Sequence, residues 1–280
     1  MNVLLPRFYG MCFGVRDALA AAEALPDPSG VTIYGELVHN PLVGERLAER
    51  GFRQLDELER DVPRTEAVLV TAHGVSDREA ARLREHGLRI VDTTCPLVRA
   101  AHAAARELDR EGRLVVVVGR AGHVEIRGLV GDLRRSVVVA GPEEVERWPD
   151  PRIGVLAQTT TPAAQLHAVV RAIRRANPDA DVRVADTVCR PTRDRQESLA
   201  ELLPHVSALV VVGGRGSRNT LELVRAAEAA GVRAIHVESA AELDPAAFAG
   251  IETVGLTAGT STLPETVEEV HERLRGMAPP

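Results

Sequence analysis

Short apolar runs alternate along the chain with longer segments of helical periodicity. Three valine-rich runs predict buried strands, at residues 67–70, 114–118 and 209–212. Apolar residues at helical spacing predict helices at 75–87, 161–176, 217–230 and 262–275. Glycines suited to cap three of these helices follow at Gly87, Gly231 and Gly276. This alternation of strands and helices predicts parallel sheets covered by helices, which is an α/β fold.

The three cysteines fall in register with this alternation. The number of residues from each cysteine to the glycine after the next strand is nearly constant, at 23, 24 and 24 for Cys12–Gly35, Cys95–Gly119 and Cys189–Gly213. An Asp-Thr-x-Cys pattern also occurs twice, at 92–95 and 186–189. We therefore interpret the chain as three repeats, each of which presents one cysteine.

Two more polar positions recur after each cysteine. The second position lies 27 or 28 residues further on, at His39, His123 and Ser217. The third follows another strand, at 72–74, 158–160 and 257–261. The pattern predicts three pseudo-threefold-related α/β domains with small, mainly parallel sheets, at 1–94, 95–188 and 189–280. Because loops at the carboxyl ends of parallel strands share one edge of a sheet, we expect the cysteines to meet at a central site.

Composition excludes several classes of protein. The chain has 280 residues, 45% of them hydrophobic and 26% charged, as in a globular protein. A net charge of −6 argues against a nucleic-acid partner. All 34 basic residues are arginine, which excludes Schiff-base chemistry on lysine and a Walker-type phosphate lysine. No apolar run reaches the ~18–20 residues of a membrane span, and the N-terminus lacks a secretory signal, so we expect a cytoplasmic protein.

Three cysteine thiolates at one point suit an iron–sulfur cluster. Such clusters usually take four cysteines, so three would leave one iron of a 4Fe–4S cube open to a substrate oxygen. A zinc ion held by three cysteines and a histidine is the competing interpretation. The third interpretation is that Cys12, Cys95 and Cys189 are buried core residues without a ligand.

Other polar residues predict an anion site and an acid. One group lies at or near predicted helix N-termini, which attract anions, and suggests a phosphate or diphosphate ligand: His39, His73, Ser217, Asn219 and Ser261. Helix capping and ordinary structural histidines are the simpler explanation. A second group comprises His123, Glu125 and Thr159, in which Glu125 could donate a proton beside an open iron. The alternative for Glu125 is a solvated turn.

In these motifs the chain resembles the IspH/LytB family of 4-hydroxy-3-methylbut-2-enyl diphosphate reductases. The resemblance covers nearly the whole length. It rests on an ordered set of segments: 11–16 (MCFGVR), 35–41 (GELVHNP), 72–76 (AHGVS), 92–98 (DTTCPLV), 122–125 (GHVE), 158–160 (QTT), 186–189 (DTVC), Asn219 and 257–261 (TAGTS).

The resemblance implies three α/β domains around a central 4Fe–4S cluster with three cysteine ligands, Cys12, Cys95 and Cys189, and one open iron. It implies reductive dehydroxylation of the allylic diphosphate to isopentenyl and dimethylallyl diphosphate, the last reaction of the methylerythritol phosphate pathway. Glu125, Thr159 and His123 would be catalytic. The substrate-binding residues would be His39, His73, His123, Thr159, Thr160, Ser217, Arg218, Asn219 and Ser261. The implied electron donor is ferredoxin or flavodoxin, and the enzyme would be a monomer or a homodimer.

The chain also departs from the family pattern. Arg218 stands where the family has a second serine, and Val124 and Arg127 replace a proline and a glutamate. An arginine at 218 would either bind phosphate or select another ligand. Two alternatives therefore stay open: a related enzyme that reduces or dehydrates a different allylic alcohol, and a non-catalytic iron–sulfur redox sensor.

Overall fold

The computed structural model describes residues 1–57 and 60–277. The strands in these ranges are β1 (Asn2–Leu4), β2 (Val31–Ile33), β3 (Arg53–Gln54), β4 (Ala67–Val70), β5 (Arg89–Asp92), β6 (Leu114–Val118), β7 (Ser136–Val139), β8 (Arg152–Ala157), β9 (Asp181–Val184), β10 (Ala208–Val212), β11 (Arg233–Val237) and β12 (Thr253–Ala258). The helices are α1 (Phe13–Glu23), α2 (Pro41–Glu49), α3 (Asp77–Glu85), α4 (Pro96–Arg110), α5 (Val124–Val130), α6 (Ala163–Ala176), α7 (Arg190–Leu202), α8 (Arg218–Ala229) and α9 (Pro264–Gly276).

The strands form three four-stranded parallel sheets, which confirms the predicted α/β class with small parallel sheets. Their strand orders are β1-β12-β10-β11, β3-β2-β4-β5 and β7-β6-β8-β9. The predicted strands coincide with β4, β6 and β10, apart from one extra residue at the start of β10. Gly87 and Gly231 have the positive φ of helix-capping glycines. The prediction for Gly276 was wrong, because α9 includes this glycine and Met277 caps the helix.

The chain groups into two compact units. One comprises Met1–Arg16, Val38–Glu45 and the residues from Arg190 onward, and it contains the sheet of β1, β12, β10 and β11. The other comprises Asp17–Leu37 and Arg46–Cys189 and contains the other two sheets. The division into domains 1–94, 95–188 and 189–280 stays a prediction.

Alternating side chains of a central strand bury both faces of its sheet. In the first unit, Leu209 and Val211 of β10 pack in a cluster with side chains of α7 and α8. Val210 and Val212 point the other way, into a cluster that includes Val270 of α9. This two-residue period explains why the strand is apolar throughout, since each full burial of such a side chain contributes about 1.5–3 kcal/mol.

The same arrangement holds helix α5 in the second unit. Val115 and Val117 of β6 share a cluster with Ile126 and Leu129 of α5. The opposite face of β6 packs in a cluster that includes Leu166 of α6. Helix α5 is therefore fixed against the sheet by its apolar side chains, which sets the position of the polar residues at its start.

Within the described ranges, no helix combines the length and apolarity needed to cross a membrane.

Candidate functional site

Each cysteine occupies the same topological position in its sheet. The strands that precede the cysteines are β1, β5 and β9, and each is an edge strand. In every case the neighbouring strand (β12, β4 or β8) leads into the third polar position, and the strand after it leads into the second. The backbone N–H of each cysteine donates to a carbonyl of the neighbouring junction, in the pairs Cys12–Thr260 at 3.1 Å, Cys95–Ala72 at 3.1 Å and Cys189–Thr159 at 2.9 Å. The repeat seen in the sequence is thus a repeat of hydrogen bonding.

The Asp-Thr-x-Cys pattern has a structural cause, which its first copy illustrates. Asp92 Oδ1 accepts from the N–H of Thr94 at 2.9 Å and so forms a tight turn at the end of β5. The Thr93 hydroxyl donates to the Val70 carbonyl at 2.7 Å, which ties the turn to β4. Cys95 then occupies the N-cap position directly before α4. The sequence pattern therefore encodes a turn that delivers a cysteine to a helix start.

The second copy repeats these contacts. Asp186 Oδ1 accepts from the N–H of Val188 at 3.2 Å, and the Thr187 hydroxyl donates to the Ala157 carbonyl at 2.5 Å. Burial alone would raise the pKa of Asp92, but hydrogen bonds from Thr94 and the charge of Arg99 outweigh it and lower that pKa. The first-copy aspartate is therefore the ionised acceptor that this turn requires.

Glu125 and Thr159 form a buried pair at the junctions after β6 and β8. Glu125 is only 2% exposed, so the alternative prediction of a solvated turn was wrong. Its Oε1 accepts from the Thr159 N–H at 2.6 Å, and its Oε2 accepts from the Thr159 hydroxyl at 3.0 Å. The Thr159 carbonyl in turn accepts from Cys189 N–H. A carboxyl group is thereby held in one orientation beside a cysteine junction.

Two histidines lie close to this pair. His123 is the N-cap of α5, and its Nδ1 accepts from the Glu125 N–H at 3.1 Å. With Nδ1 as the acceptor, the neutral form of the ring carries its proton on Nε2. The ring of His73 meets the ring of His123 edge to face, with centroids 5.7 Å apart. The second unit thus brings together His73, His123, Glu125 and Thr159, all of which the sequence predicted.

Two buried polar atoms flank Thr159. The Gln158 Nε2 and the Thr160 Oγ1 have no hydrogen-bond partner within the part of the chain that the structure describes. An unsatisfied buried polar atom costs about 1–3 kcal/mol. Such atoms therefore suit a site where a bound polar ligand completes their hydrogen bonding. The sequence motifs predicted a role for Thr160 but none for Gln158, although both belong to the QTT segment.

Helix α5 approaches α4 at a glycine. A Cβ atom at Gly128 would lie 3.2 Å from Cε1 of His102, which is tighter than ordinary contact. Burial, and secondarily the charge of Arg106, lowers the pKa of His102, so this ring is neutral. The small residue and the neutral ring allow the close packing that positions the start of α5, a feature the sequence analysis missed.

The first unit gathers the remaining predicted anion-binding residues. Asn219 Oδ1 accepts from the Thr260 N–H at 3.0 Å. The Ser261 hydroxyl donates to the His39 carbonyl at 3.2 Å, and the buried Asn40 amide donates to the Ser261 carbonyl at 2.7 Å. Asn40 is therefore a further structural member of this site that the sequence analysis did not single out.

The residues at the start of α8 include the departure from the family pattern. Ser217 is the N-cap and accepts from Thr220 N–H. The Arg218 Nε lies 2.8 Å from Oε1 of Glu222 one turn later, and the two side chains are 12% and 11% exposed. Arg225 also contacts Glu222. The Arg218 charge is thus partly balanced within its own helix by a carboxylate that sequence reasoning overlooked.

The donor set suits an iron–sulfur cluster. All three cysteines are thiols with partly buried side chains. Each lies directly before or at the start of a helix, where the helix dipole favours the thiolate. Across residues 1–57 and 60–277, no three His, Cys, Asp or Glu side chains are grouped so as to hold a metal ion. The assignment of a cluster therefore depends on the chemistry and register of the three thiols.

A family model for the LytB protein matches residues 3–275. The chain is 39% identical over 280 residues to a 4-hydroxy-3-methylbut-2-enyl diphosphate reductase of Pelobacter propionicus, with 98% of each chain covered. It is 34% identical over 284 residues to the enzyme of that name from Aquifex aeolicus, with 98% of this chain and 96% of the relative covered. These matches confirm the family that the sequence motifs predicted.

Two solved structures resemble this one. A (E)-4-hydroxy-3-methyl-but-2-enyl diphosphate reductase, described as the terminal enzyme of the non-mevalonate pathway, matches with a TM-score of 0.69 and 33% identity over 98% of this chain and 99% of that one. The Plasmodium falciparum E-1-hydroxy-2-methyl-but-2-enyl-4-diphosphate reductase matches with a TM-score of 0.89 and 23% identity over 100% of this chain and 89% of that one. The likeness to the Plasmodium falciparum structure, at 23% identity, supports the fold alone.

Proposed function

The chain belongs to the LytB family, and on that premise we propose that it reduces 4-hydroxy-3-methylbut-2-enyl diphosphate to isopentenyl and dimethylallyl diphosphate. The reaction consumes two electrons and two protons, breaks the allylic C–O bond and releases water. The names of the full-length relatives favour this activity over a different allylic alcohol or a redox sensor.

The observation that carries the proposal is the cysteine junction, repeated in three sheets with the same hydrogen bond. We propose that Cys12, Cys95 and Cys189 hold a 4Fe–4S cluster through three thiolates, with one iron left open, and that domains 1–94, 95–188 and 189–280 surround it. When bound, this cluster supplies the electrons and a Lewis-acidic iron for the substrate hydroxyl.

Glu125 is the proposed proton donor. Its carboxyl group is buried and hydrogen-bonded by Thr159, so its orientation is fixed before substrate binds. A hydroxyl group leaves poorly unless it is protonated, and a positioned acid contributes typically 10²–10⁴-fold to the rate. The Thr159 hydroxyl, which already contacts Glu125, assists by holding the carboxyl group toward the departing oxygen.

The remaining polar residues bind the diphosphate. They supply imidazole, hydroxyl, amide and guanidinium donors without any lysine: His39, His73, His123, Thr159, Thr160, Ser217, Arg218, Asn219 and Ser261. The support for this role is their position at helix starts, where backbone N–H groups and the helix dipole attract anions. The unsatisfied Thr160 hydroxyl gains a partner when such an anion is bound.

Protein purified without oxygen tests the proposal. We expect about four iron and four sulfide per chain, together with turnover of the allylic diphosphate by reduced methyl viologen. Cys189→Ser should lose iron and turnover together, whereas Ser207→Ala, away from these junctions, should change neither. Folded wild-type protein that carries the cluster but leaves the diphosphate unreacted would refute the activity. Full iron content in Cys189→Ser would refute the ligand assignment.

A further inference from the structure

Exposed apolar side chains concentrate in one short segment of the first unit. The large hydrophobic side chains exposed among the described residues are Leu5, Phe8, Tyr9, Phe13 and Val184. All but Val184 lie in residues 5–13, and their exposed fractions are 37–39%. Single exposed apolar residues are ordinary, but four of them within nine consecutive residues form a concentration that is typical of interaction surfaces.

This segment is fixed to helix α7. The Phe8 N–H donates to the Ser198 hydroxyl at 3.0 Å. The buried Arg195 guanidinium donates to the Gly10 carbonyl from Nε at 3.1 Å and from Nη2 at 2.5 Å. The segment therefore runs along α7 toward the start of that helix, where Arg190 lies. These bonds anchor the backbone that carries the exposed rings, so the rings do not belong to a loose tail.

The segment that carries these rings is basic in composition. Residues 1–16 contain no Asp or Glu, although the whole chain has a net charge of −6. The Arg7 guanidinium stacks over the Phe8 ring at 5.1 Å from its centroid. The Arg190 side chain is 88% exposed, and its carboxylate neighbour Asp194 is 3.5 Å away. The segment thus combines exposed apolar side chains with positive charge, on a protein whose net charge is negative.

We propose that this surface, formed by Leu5, Arg7, Phe8, Tyr9, Phe13 and Arg190 and called here the N-terminal patch, docks a small acidic electron-transfer protein. The inference rests on the proposed function, which requires electrons from outside the chain. Cys12, a proposed cluster ligand, lies within the segment that forms the patch. An electron donor bound at the patch would therefore contact residues close in sequence to a ligand of the proposed cluster, which receives the electrons.

The chemistry of the patch selects this partner over others. Two copies of the patch would bring arginines against arginines, which disfavours a dimer through this face. An acidic carrier instead pairs its carboxylates with Arg7 and Arg190 while the rings exclude water. Redox encounters bury less than about 1,200 Å², an area that a few aromatic side chains and a charged rim can supply.

Comparison of two protein reductants with a small dye tests the patch. The variants Arg7→Glu/Arg190→Glu and Phe8→Ser/Tyr9→Ser are assayed with a reduced, acidic plant-type 2Fe–2S ferredoxin, with reduced flavodoxin, and with reduced methyl viologen. We expect kcat/KM for the better protein donor to fall about tenfold or more. The methyl viologen rate should stay within twofold, since a small dye does not need the patch. For the wild type, the protein-donor rate should fall as salt rises, and the charge-reversed variant should lose most of this dependence.

Matched controls lie elsewhere on the chain. Val184→Ser removes the other exposed apolar side chain, and Arg171→Glu/Arg174→Glu reverses two exposed charges on α6. Both controls should keep wild-type rates with every reductant.

Three kinds of outcome overturn the docking proposal. In the first, patch variants keep full activity with the protein donor, or the wild type turns over with methyl viologen but with neither protein. In the second, the charge-reversed variant changes oligomeric state by light scattering, which assigns the patch to a second copy. In the third, the wild type, but not this variant, sediments with anionic vesicles while protein-donor rates are unchanged, which assigns the patch to lipid. Absence of methyl viologen turnover in the wild type would instead contradict the proposed function.

Discussion

Two regions of the molecule use one backbone frame for different chemistry. In the sheet of β6 and β8, the N–H of Thr159 donates to a side chain at the start of α5, namely the carboxyl group of Glu125. In the sheet of β10 and β12, the N–H of Thr260 donates to the equivalent side chain at the start of α8, the amide of Asn219. Both threonine carbonyls accept from a cysteine N–H.

This comparison indicates that the strand order determines the backbone hydrogen bonds at the junctions, whereas the identity of one side chain determines what chemistry is possible there. Parallel strands in the same order place the two junctions side by side in each sheet, so the connecting hydrogen bonds recur. A carboxyl group in that frame can give up a proton, whereas an amide can only donate or accept hydrogen bonds. Under the proposed function, proton delivery belongs to the Glu125 region, and the Asn219 region binds the diphosphate through an uncharged amide.

Glu125→Gln makes the first region resemble the second and should have the largest effect. The amide keeps the size of the side chain but cannot deliver a proton, so we expect kcat to fall about 10³-fold with KM little changed. Steady-state rates with methyl viologen measure this, and the visible spectrum checks that iron is retained. Glu201→Gln, on the exposed surface of α7, is the matched control. Substantial activity in Glu125→Gln would remove the proton-donor role.

Asn219→Asp makes the reverse change and should act mainly on binding. The new carboxylate can still accept from Thr260, so the fold should be kept, but its charge repels a diphosphate. We expect KM to rise about tenfold or more, with a smaller change in kcat. Initial rates over a range of substrate concentrations, with a thermal melt as the folding check, provide the test. An unchanged KM would place the diphosphate away from Asn219.

Thr159→Val tests whether the hydroxyl matters beyond the shared N–H bond. The Thr159 hydroxyl donates to Glu125 Oε2, and loss of such a hydrogen bond is worth about 0.5–1.5 kcal/mol, so we expect kcat to fall roughly two- to tenfold. Thr260→Val is the matched control, because the backbone N–H of Thr260, and not its hydroxyl, contacts Asn219. Equal losses in both variants would mean that they act by disturbing the backbone frame.

Arg218→Ser tests the residue next to Asn219, at the position that Val124 occupies in the other region. Glu222 already balances part of the Arg218 charge, so we expect only a several-fold rise in KM with kcat unchanged. Glu222→Gln frees the guanidinium and should lower KM slightly. Faster turnover of the ordinary substrate by Arg218→Ser would show that the arginine diverts specificity.

Sequence alone determined the features that depend on local periodicity. The apolar runs located β4, β6 and β10 almost to the residue, and the spacing of cysteines and glycines revealed the threefold repeat. Each of these three strands is encoded within a short stretch of sequence, because a buried parallel strand is apolar on both faces. In the two Asp-Thr-x-Cys motifs, the aspartate likewise accepts a hydrogen bond from the residue two positions further on.

Tertiary structure decided the features that depend on distant partners. The three-residue strand β1 joins a sheet whose other strands lie between residues 208 and 258, and no local pattern identifies that partner. The burial of Glu125, its bond to Thr159 and the place of the N-terminal segment on α7 also arise from residues far apart in the chain. Local periodicity specifies which face of an element is apolar, but only packing specifies what that face meets.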